Sequence, residues 1–397
     1  MIRPAPPVPP TDASTPVTSL APSSADAPAR ARTLRTDALG TADREAWRRL
    51  ADRAAEPNPF FRPEFVLAAV EERGHPATLL VADQGEEWIA CLPLRRARRF
   101  GPLPLPCLAP WLPEYAFLAT PLVDRDRLDL AAAALAERLA RERRAAALIL
   151  DPLDPSGPVS AALMSALAAQ RLSPRVYAEF ERPALRRRPE STYLVEALEG
   201  KRRKDLRRQR RALEREVGGE VETVDRSTNP AAYDAFLELE LRSWKGEGGT
   251  ALASTGRDAA FFRRMCTEMS ARGLLQILAL EAGGRTLAMQ CNVSDGDVLF
   301  AFKVAYDRAW SRFSPGVLLE VDAIDVFHDH VAASVVDSCS APDNELLNRL
   351  WPDRRALQSV LVPTGALLAR LGPPAIGTRA VARAVMHRAR SLRARRP

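Results

Sequence analysis

The chain has 397 residues, 46% of them hydrophobic and 27% charged, with a formal net charge of +7. That is enough chain and enough apolar side chain for two average domains, and it excludes a protein disordered throughout. No run approaches the ~18 to 20 apolar residues of a membrane span, and residues 1–33 have neither the basic start nor the apolar core of a signal peptide, so a cytoplasmic protein is expected.

Residues 1–33 are rich in Pro, Ala, Ser and Thr without apolar periodicity and are expected to be disordered. Thr41-Ala-Asp-Arg-Glu45 has the form of a capping box ahead of a first helix, and Asn58-Pro-Phe-Phe-Arg-Pro63 leads into a second through Phe65, Ala68, Ala69 and Val70. Residues 77–82 and 88–94 read as two strands turned at Asp83-Gln-Gly85. A Pro-rich connection with Trp111 and Tyr115 follows, then a long Ala/Leu helix over 127–144, a strand over 146–150 and a helix over 159–170.

From about residue 191 the order recurs. Helices over 201–217, 231–244 and 259–272 bracket a strand at 221–224, and a hairpin over 274–280 and 286–293 turns at Gly283-Gly284. A strand over 298–305 and a helix opened by Ser314-Pro-Gly316 come next, and late strands at 334–337 and 358–362 close the chain. The expected fold is α/β (α+β), with two similar units over 34–185 and 186–371 and a basic tail over 372–397. From Ala375 onward there are seven arginines and no acid, so the tail alone accounts for the net charge. It reads as a frayed terminus, or as a basic amphipathic helix lying on an anionic membrane or on nucleic acid.

The five cysteines are odd in number and never form a C-x-x-C pair, which argues against a disulfide framework and a zinc knuckle. His328-Asp329-His330 lacks a third partner at metal spacing, so no metal is expected. G-x-S-x-G, H-E-x-x-H, the P-loop pattern and the Rossmann glycine triplet are all absent, which removes serine-hydrolase, zincin and P-loop chemistry.

Three stretches remain. Lys201 to Arg211 holds eight basic residues in eleven, equally a solvated helix and a collar for the phosphates of a cofactor, a nucleotide sugar or RNA. Around Glu238-Leu-Glu240 and Ser243-Trp-Lys-Gly246 a helix ends in a Gly-rich loop, and Glu240 and Trp244 share a face. Such a carboxylate beside an aromatic ring suits a general base, and the plain alternative is a Trp covering the core. The strand–loop–helix from Leu299 to Glu320 offers an anion site at the helix start, where Ser314 and Gly316 give close access to backbone N–H groups, or else is an ordinary capped connection.

Asn58-Pro-Phe-Phe-Arg-Pro-Glu-Phe65, Cys91-Leu-Pro-Leu94, Ser243-Trp-Lys-Gly246, Gly284-Arg-Thr-Leu-Ala288, Phe302-Lys-Val-Ala-Tyr-Asp307, Ser314-Pro-Gly-Val-Leu-Leu319, Asp337-Ser-Cys339 and Trp351-Pro-Asp-Arg354 together span most of the chain. In them it resembles the FemAB-like, cellulose-biosynthesis-associated (CelD/BcsL-type) branch of the GNAT acetyltransferase superfamily. The resemblance implies two tandem GNAT-like units, each a mixed, mostly antiparallel sheet flanked by helices. It also implies transfer of an acyl group from acyl-CoA (acetyl-CoA) to an amine or hydroxyl of a small-molecule or saccharide acceptor, in exopolysaccharide or cell-envelope metabolism. The implied donor site is Arg312, Ser314, Gly316 and Val317, where one glycine and a proline stand in place of the family's glycine-rich loop. Glu240 or Asp307 is the expected base and Tyr306 the acid, with Trp244, Lys245, Gln290 and Lys303 contacting substrate. Two alternatives stay open: a Fem-like transferase using aminoacyl-tRNA, and a non-catalytic GNAT-like binding module.

Overall fold

The computed structural model describes residues 27–100, 104–111, 113, 115–243, 249 and 251–364. The first half runs β1 (Arg30–Arg35), α1 (Thr41–Asp52), α2 (Pro63–Arg73), β2 (Thr78–Gln84), β3 (Glu87–Ala97), β4 (Cys107–Pro110), the short β5 (Leu122–Val123), α3 (Leu128–Ala140), β6 (Ala147–Leu153), α4 (Pro158–Ala169) and β7 (Arg175–Arg186). Two helices, α5 (Tyr193–Ala197) and α6 (Gly200–Val217), join the halves. The second half runs β8 (Glu222–Asp225), α7 (Ala231–Leu241), α8 (Gly256–Ala271), β9 (Leu275–Ala282), β10 (Arg285–Asp295), β11 (Val298–Tyr306), α9 (Pro315–His330), β12 (Val335–Asp337), α10 (Glu345–Leu350) and β13 (Asp353–Pro363). Apart from β5, the second run repeats the first element for element.

Local chemistry explains many of the boundaries. Asn58 accepts from the Phe60 N–H at 3.1 Å, and Pro63 opens α2 where a missing N–H costs nothing. Gly74 and Gly218, both left-handed, end α2 and α6. The start of α1 departs from the expected box. Asp43 accepts from the Gly40 N–H at 3.1 Å, one position before Thr41. Residues 30–33, expected within an unstructured leader, belong instead to β1, which pairs antiparallel with β2 from Arg30↔Asp83 to Arg35↔Thr78. Three arginines in six residues hid this edge strand, whose outer side is solvated.

The described strands form one sheet in the order β1-β2-β3-β4-β6-β13-β7-β12-β11-β10-β9-β8, with β5 on β3. Pairing is antiparallel except at two equivalent places, β4 with β6 and β11 with β12. At the centre the halves exchange strands. β7, the last strand of the first half, pairs with β12 of the second, and β13, the last of the second, pairs with β6 of the first. The halves therefore share one continuous hydrogen-bonded centre.

Aromatic packing joins them as well. Phe60 meets Phe300 at 5.6 Å, and Phe65 meets Phe261 at 5.3 Å and Phe302 at 6.1 Å, all edge to face. Beneath them the buried Arg62 donates to Asp295 at 2.8 Å, and the Asn58 N–H donates to the same carboxylate at 2.7 Å. The Asn58 to Phe65 stretch thus lies at the junction of the halves.

Glu56 shows how tightly one cap is fitted. Its carboxylate accepts from the Val159 N–H at 2.6 Å at the start of α4. Burial pushes its pKa up to about 7, and the negative charge of Asp154 adds to the effect. A Cβ at Gly157 would stand 2.3 Å from the Glu56 carboxylate oxygen. Gly157→Ala is therefore expected to expel the carboxylate and cost about 1–2 kcal/mol of cap energy. Denaturant unfolding at neutral pH checks this, and an unchanged midpoint would contradict the cap.

Candidate functional site

The site grows from a fault in the sheet. β11 and β12 run parallel from Val298↔Val335 to Phe300↔Asp337; there β12 ends, while β11 continues to Tyr306. Among the described strands β11 is paired beyond Phe300 with β10 and no longer with β12, so the sheet divides there. Along β10 the register shifts between Cys291↔Lys303 and Val293↔Phe300, which sets Asn292 against both Ala301 and Phe302. This bulge breaks the alternation of β11. Phe302 and Lys303, adjacent in sequence, consequently both serve the α7–α8 side. The Phe302 ring packs on Phe65 and Phe117, and the Lys303 ammonium reaches Glu240 and Tyr115.

Glu240, in the last turn of α7, is wholly buried. One carboxylate oxygen accepts from the Leu252 N–H at 2.8 Å, the other from Lys303 Nζ at 3.3 Å. A buried carboxylate requires such partners. Lys303 in turn sits 4.4 Å from the centre of the Tyr115 ring. Tyr115 comes from the other half of the chain; its hydroxyl bonds Asp258 at 3.3 Å, and its ring stacks on Phe261 at 6.1 Å. Both halves thus build the surroundings of one ammonium group.

On the far side of that division is a buried charge cluster. Asp337 accepts from Arg182 at 2.6 Å and Arg355 at 2.7 Å through one oxygen, and from the Cys339 N–H at 2.9 Å through the other. Burial alone would raise its pKa, but the two guanidinium groups outweigh burial and hold it below the ordinary carboxylate range. Arg182 also donates to the Phe117 carbonyl at 3.0 Å, and Arg355 to Asp154 at 3.2 Å. Phe117 therefore spans the cluster and the Phe302 face.

Of the expected catalytic and substrate-contacting residues, Glu240 and Lys303 meet among the described residues. Tyr306 packs into the apolar cluster formed with α6 and α9, with its ring 3.2 Å from where a Gly316 Cβ would lie. Asp307 caps the turn after β11 by accepting from the Ala309 N–H at 2.9 Å. Gln290 donates to Glu320 of α9 at 3.3 Å, while its own carbonyl oxygen is buried without a partner among the described residues. Trp244, Lys245 and most of the Gly-rich loop lie outside the described residues, as do the basic tail and residues 1–26.

The start of α9 offers an anion little. Pro315 has no N–H, and Val317 and Leu318 both donate to the Ser314 carbonyl, at 2.9 and 3.1 Å. Gly316 is left as the first-turn amide without a partner among the described residues. Arg312 is paired with Glu216 and lies over Phe313. Ser314 itself is left-handed, with φ 54°, and its side chain makes no cap bond.

Sequence reading gave no role to Arg182, Arg355, Tyr115 or Glu320. Asp337 stood out only within Asp337-Ser-Cys339. Its arginines lie 155 and 18 residues away, beyond any spacing rule. Glu320 was hidden because a carboxylate in the second turn of a helix reads as solvated; here it is buried, accepts from Trp351 Nε1 at 2.9 Å and has its pKa raised by burial to about 7.

Comparison with known proteins gives this geometry a family context. The model of the acetyltransferase (GNAT) domain matches residues 200–339. A search of curated proteins finds none that matches. Among solved structures, FemX is similar at 11% identity with a TM-score of 0.53, over 83% of this chain and 96% of that one. A protein of unknown function from Bacteroides thetaiotaomicron is similar at 12% identity and 0.52, over 82% and 97%. A C-terminal domain assigned to a lysylphosphatidylglycerol synthetase of Agrobacterium fabrum is similar at 14% and 0.50, over 82% and 93%. At these identities the likeness is one of fold. No helix among the described residues is long and apolar enough to cross a membrane. The matched residues 200–339 hold β11 and the Glu240–Lys303 pair, so the likeness to a GNAT acetyltransferase domain falls on this part of the mixed α/β fold.

Proposed function

We propose that the protein transfers an acyl group, acetyl in the simplest case, from acyl-CoA to the amine or hydroxyl of a small molecule or saccharide of the cell envelope. In this reading residues 34–185 and 186–371 are its two units, the second bearing the site. The observation that carries the reading is the Glu240–Lys303 pair, set against the Tyr115 ring where β12 stops and β11 continues. The amide-bearing arm of an acyl-CoA would run along the division of the sheet where β12 stops and β11 continues. The thioester would then lie across that division. The acceptor would approach from the Tyr115–Lys303 side, its nitrogen or oxygen bonding to the acyl carbon as the C–S bond breaks.

In this arrangement Lys303 touches substrate. Glu240, held by the Leu252 N–H, keeps Lys303 in place and is the carboxylate nearest to take the acceptor's proton. Lys303→Met and Glu240→Gln are each expected to lower kcat/KM with acetyl-CoA roughly 100-fold or more. Release of free thiol measures it, with Lys303→Arg as a charge-preserving control. Wild-type turnover in both variants would remove the assignment.

One observation favours a second reading, transfer from an aminoacyl-tRNA. Lys201, Lys204, Arg208, Arg211 and Arg215 of α6 are all exposed, and their alternating spacing of three and four puts them in one stripe. If that stripe holds an RNA backbone, log K against log salt should fall with a slope of about −3.5 to −4.5 for five phosphate contacts. Filter binding of bulk tRNA reads this slope, and a flat response leaves acyl-CoA as the donor.

A further inference from the structure

A groove of about 460 Å³ opens on the α10 side of the second half, away from the Glu240–Lys303 pair. Its size is that of a small-molecule site. Arg202 of α6, Arg349 of α10 and Arg354 of β13 line it, beside Leu198, Trp351 and Pro352. We propose that this groove binds the phosphate or pyrophosphate group of a small-molecule ligand.

The charge arrangement is the reason. The Arg354 guanidinium is fixed by three main-chain carbonyls, Trp351 and Asp353 at 2.7 Å and Asn348 at 3.3 Å. It is oriented by neutral acceptors, so its charge is not cancelled. The carboxylate of neighbouring Asp353 is taken by Arg188 at 2.9 Å and the Arg186 N–H at 2.8 Å. Of the two acids in the lining, Glu196 is paired with Arg188 and bonded by Thr192 at 2.6 Å, which leaves Glu199. Arg349 has a solvent-exposed partner in Glu345, a pairing that an incoming dianion can displace.

The start of α6 adds donors to the same wall. This 18-residue helix has no side-chain cap and no acid in its first turn. Its first internal bond runs from the Arg203 N–H to the Glu199 carbonyl, so the amides of Gly200, Lys201 and Arg202 have no partner among the described residues. Lys201, Arg202 and Arg203 stand on that turn, placing positive side chains at the positive end of the helix dipole. This is unfavourable for the protein alone and is offset by a bound anion. Guanidinium groups from three elements give the planar donors that phosphate oxygens accept.

The proposal does not depend on the acyl-transfer reading, and its test measures binding without turnover. Calorimetric titration of the full chain with inorganic pyrophosphate is expected to show one saturable site. Arg202→Gln and Arg354→Gln should each weaken it roughly tenfold or more, while Arg285→Gln, an exposed arginine of β10 outside the lining, should bind as wild type. Arg354 also ties down its own turn, so Arg202→Gln, which removes none of the hydrogen bonds or ion pairs seen in the fold, decides the matter if the other variant fails to fold. No saturable binding by the wild type, or equal weakening by Arg285→Gln and Arg202→Gln, would overturn the proposal.

Discussion

Asp337→Asn should cost about 3–5 kcal/mol of stability, the expected penalty for breaking a buried ion cluster by removing one partner. Arg182 and Arg355 are 3% and 9% exposed, so neither can turn to water when the carboxylate is lost. The introduced amide keeps the shape and one acceptor, but its NH₂ group would face guanidinium donors. The Cys339 N–H would lose a charged acceptor as well. Because the cluster ties β7, β12 and β13 together at the strand exchange, the loss should appear as global destabilisation. Denaturant unfolding at neutral pH measures it, and a loss under 1 kcal/mol would show that the cluster is not what holds the centre. The same carboxyl sets a pH limit. Its folded pKa lies below the ordinary value, so its contribution is present above that ordinary value and disappears as pH falls through the folded pKa.

Glu320→Gln should act in the opposite direction and stabilise the protein at alkaline pH. Glu320 is 5% exposed, and burial raises its pKa from 4.5 to about 7, with the Trp351 N–H pulling weakly the other way. A carboxyl with a raised folded pKa binds its proton more tightly when folded. Stability is therefore highest below the unfolded pKa and declines as pH rises from about 4.5 through about 7. Across that window the cost of ionising Glu320 is about 3 kcal/mol. A neutral amide escapes it. Its carbonyl can still accept from Trp351 Nε1, and its NH₂ can donate to the Gln290 carbonyl oxygen, which has no partner among the described residues. Unfolding at pH 5 and pH 8 is the measurement: the variant should gain up to about 3 kcal/mol over wild type at pH 8 and little at pH 5. An equal effect at both values would mean that Glu320 does not titrate in this range.

The element order was largely legible in the sequence, and for a local reason. Apolar periodicity, Asn and Pro at helix starts, and the glycines after α2 and α6 act within a few residues of where they stand. The doubled order of helices, hairpin, strand and helix followed from them, as did β11 with its loop and α9. Glu240 and Lys303 were legible as candidates because an acid at a helix end and a lysine in an apolar strand each break a local pattern.

What joins distant parts of the chain was not legible. The exchange of β7 and β13 depends on pairings between strands about 150 to 215 residues apart, and periodicity carries no register across such a distance. One register shift between β10 and β11 decides that Lys303 turns to Glu240 and Tyr115 while Tyr306 goes to the α9 side. The opposite pKa directions of Asp337 and Glu320 are a property of the packed whole: burial raises both, but two guanidinium groups outweigh it at the first carboxylate, and none among the described residues reaches the second. The sequence alone determined most of the helices and both hairpins and their order, though not β1, β4, β7 or the helix Glu345–Leu350, since short-range sterics and hydrogen bonding act where the local pattern is strong. Only the tertiary structure decided which side chains share a cavity, because that depends on long-range register and on the desolvation it imposes.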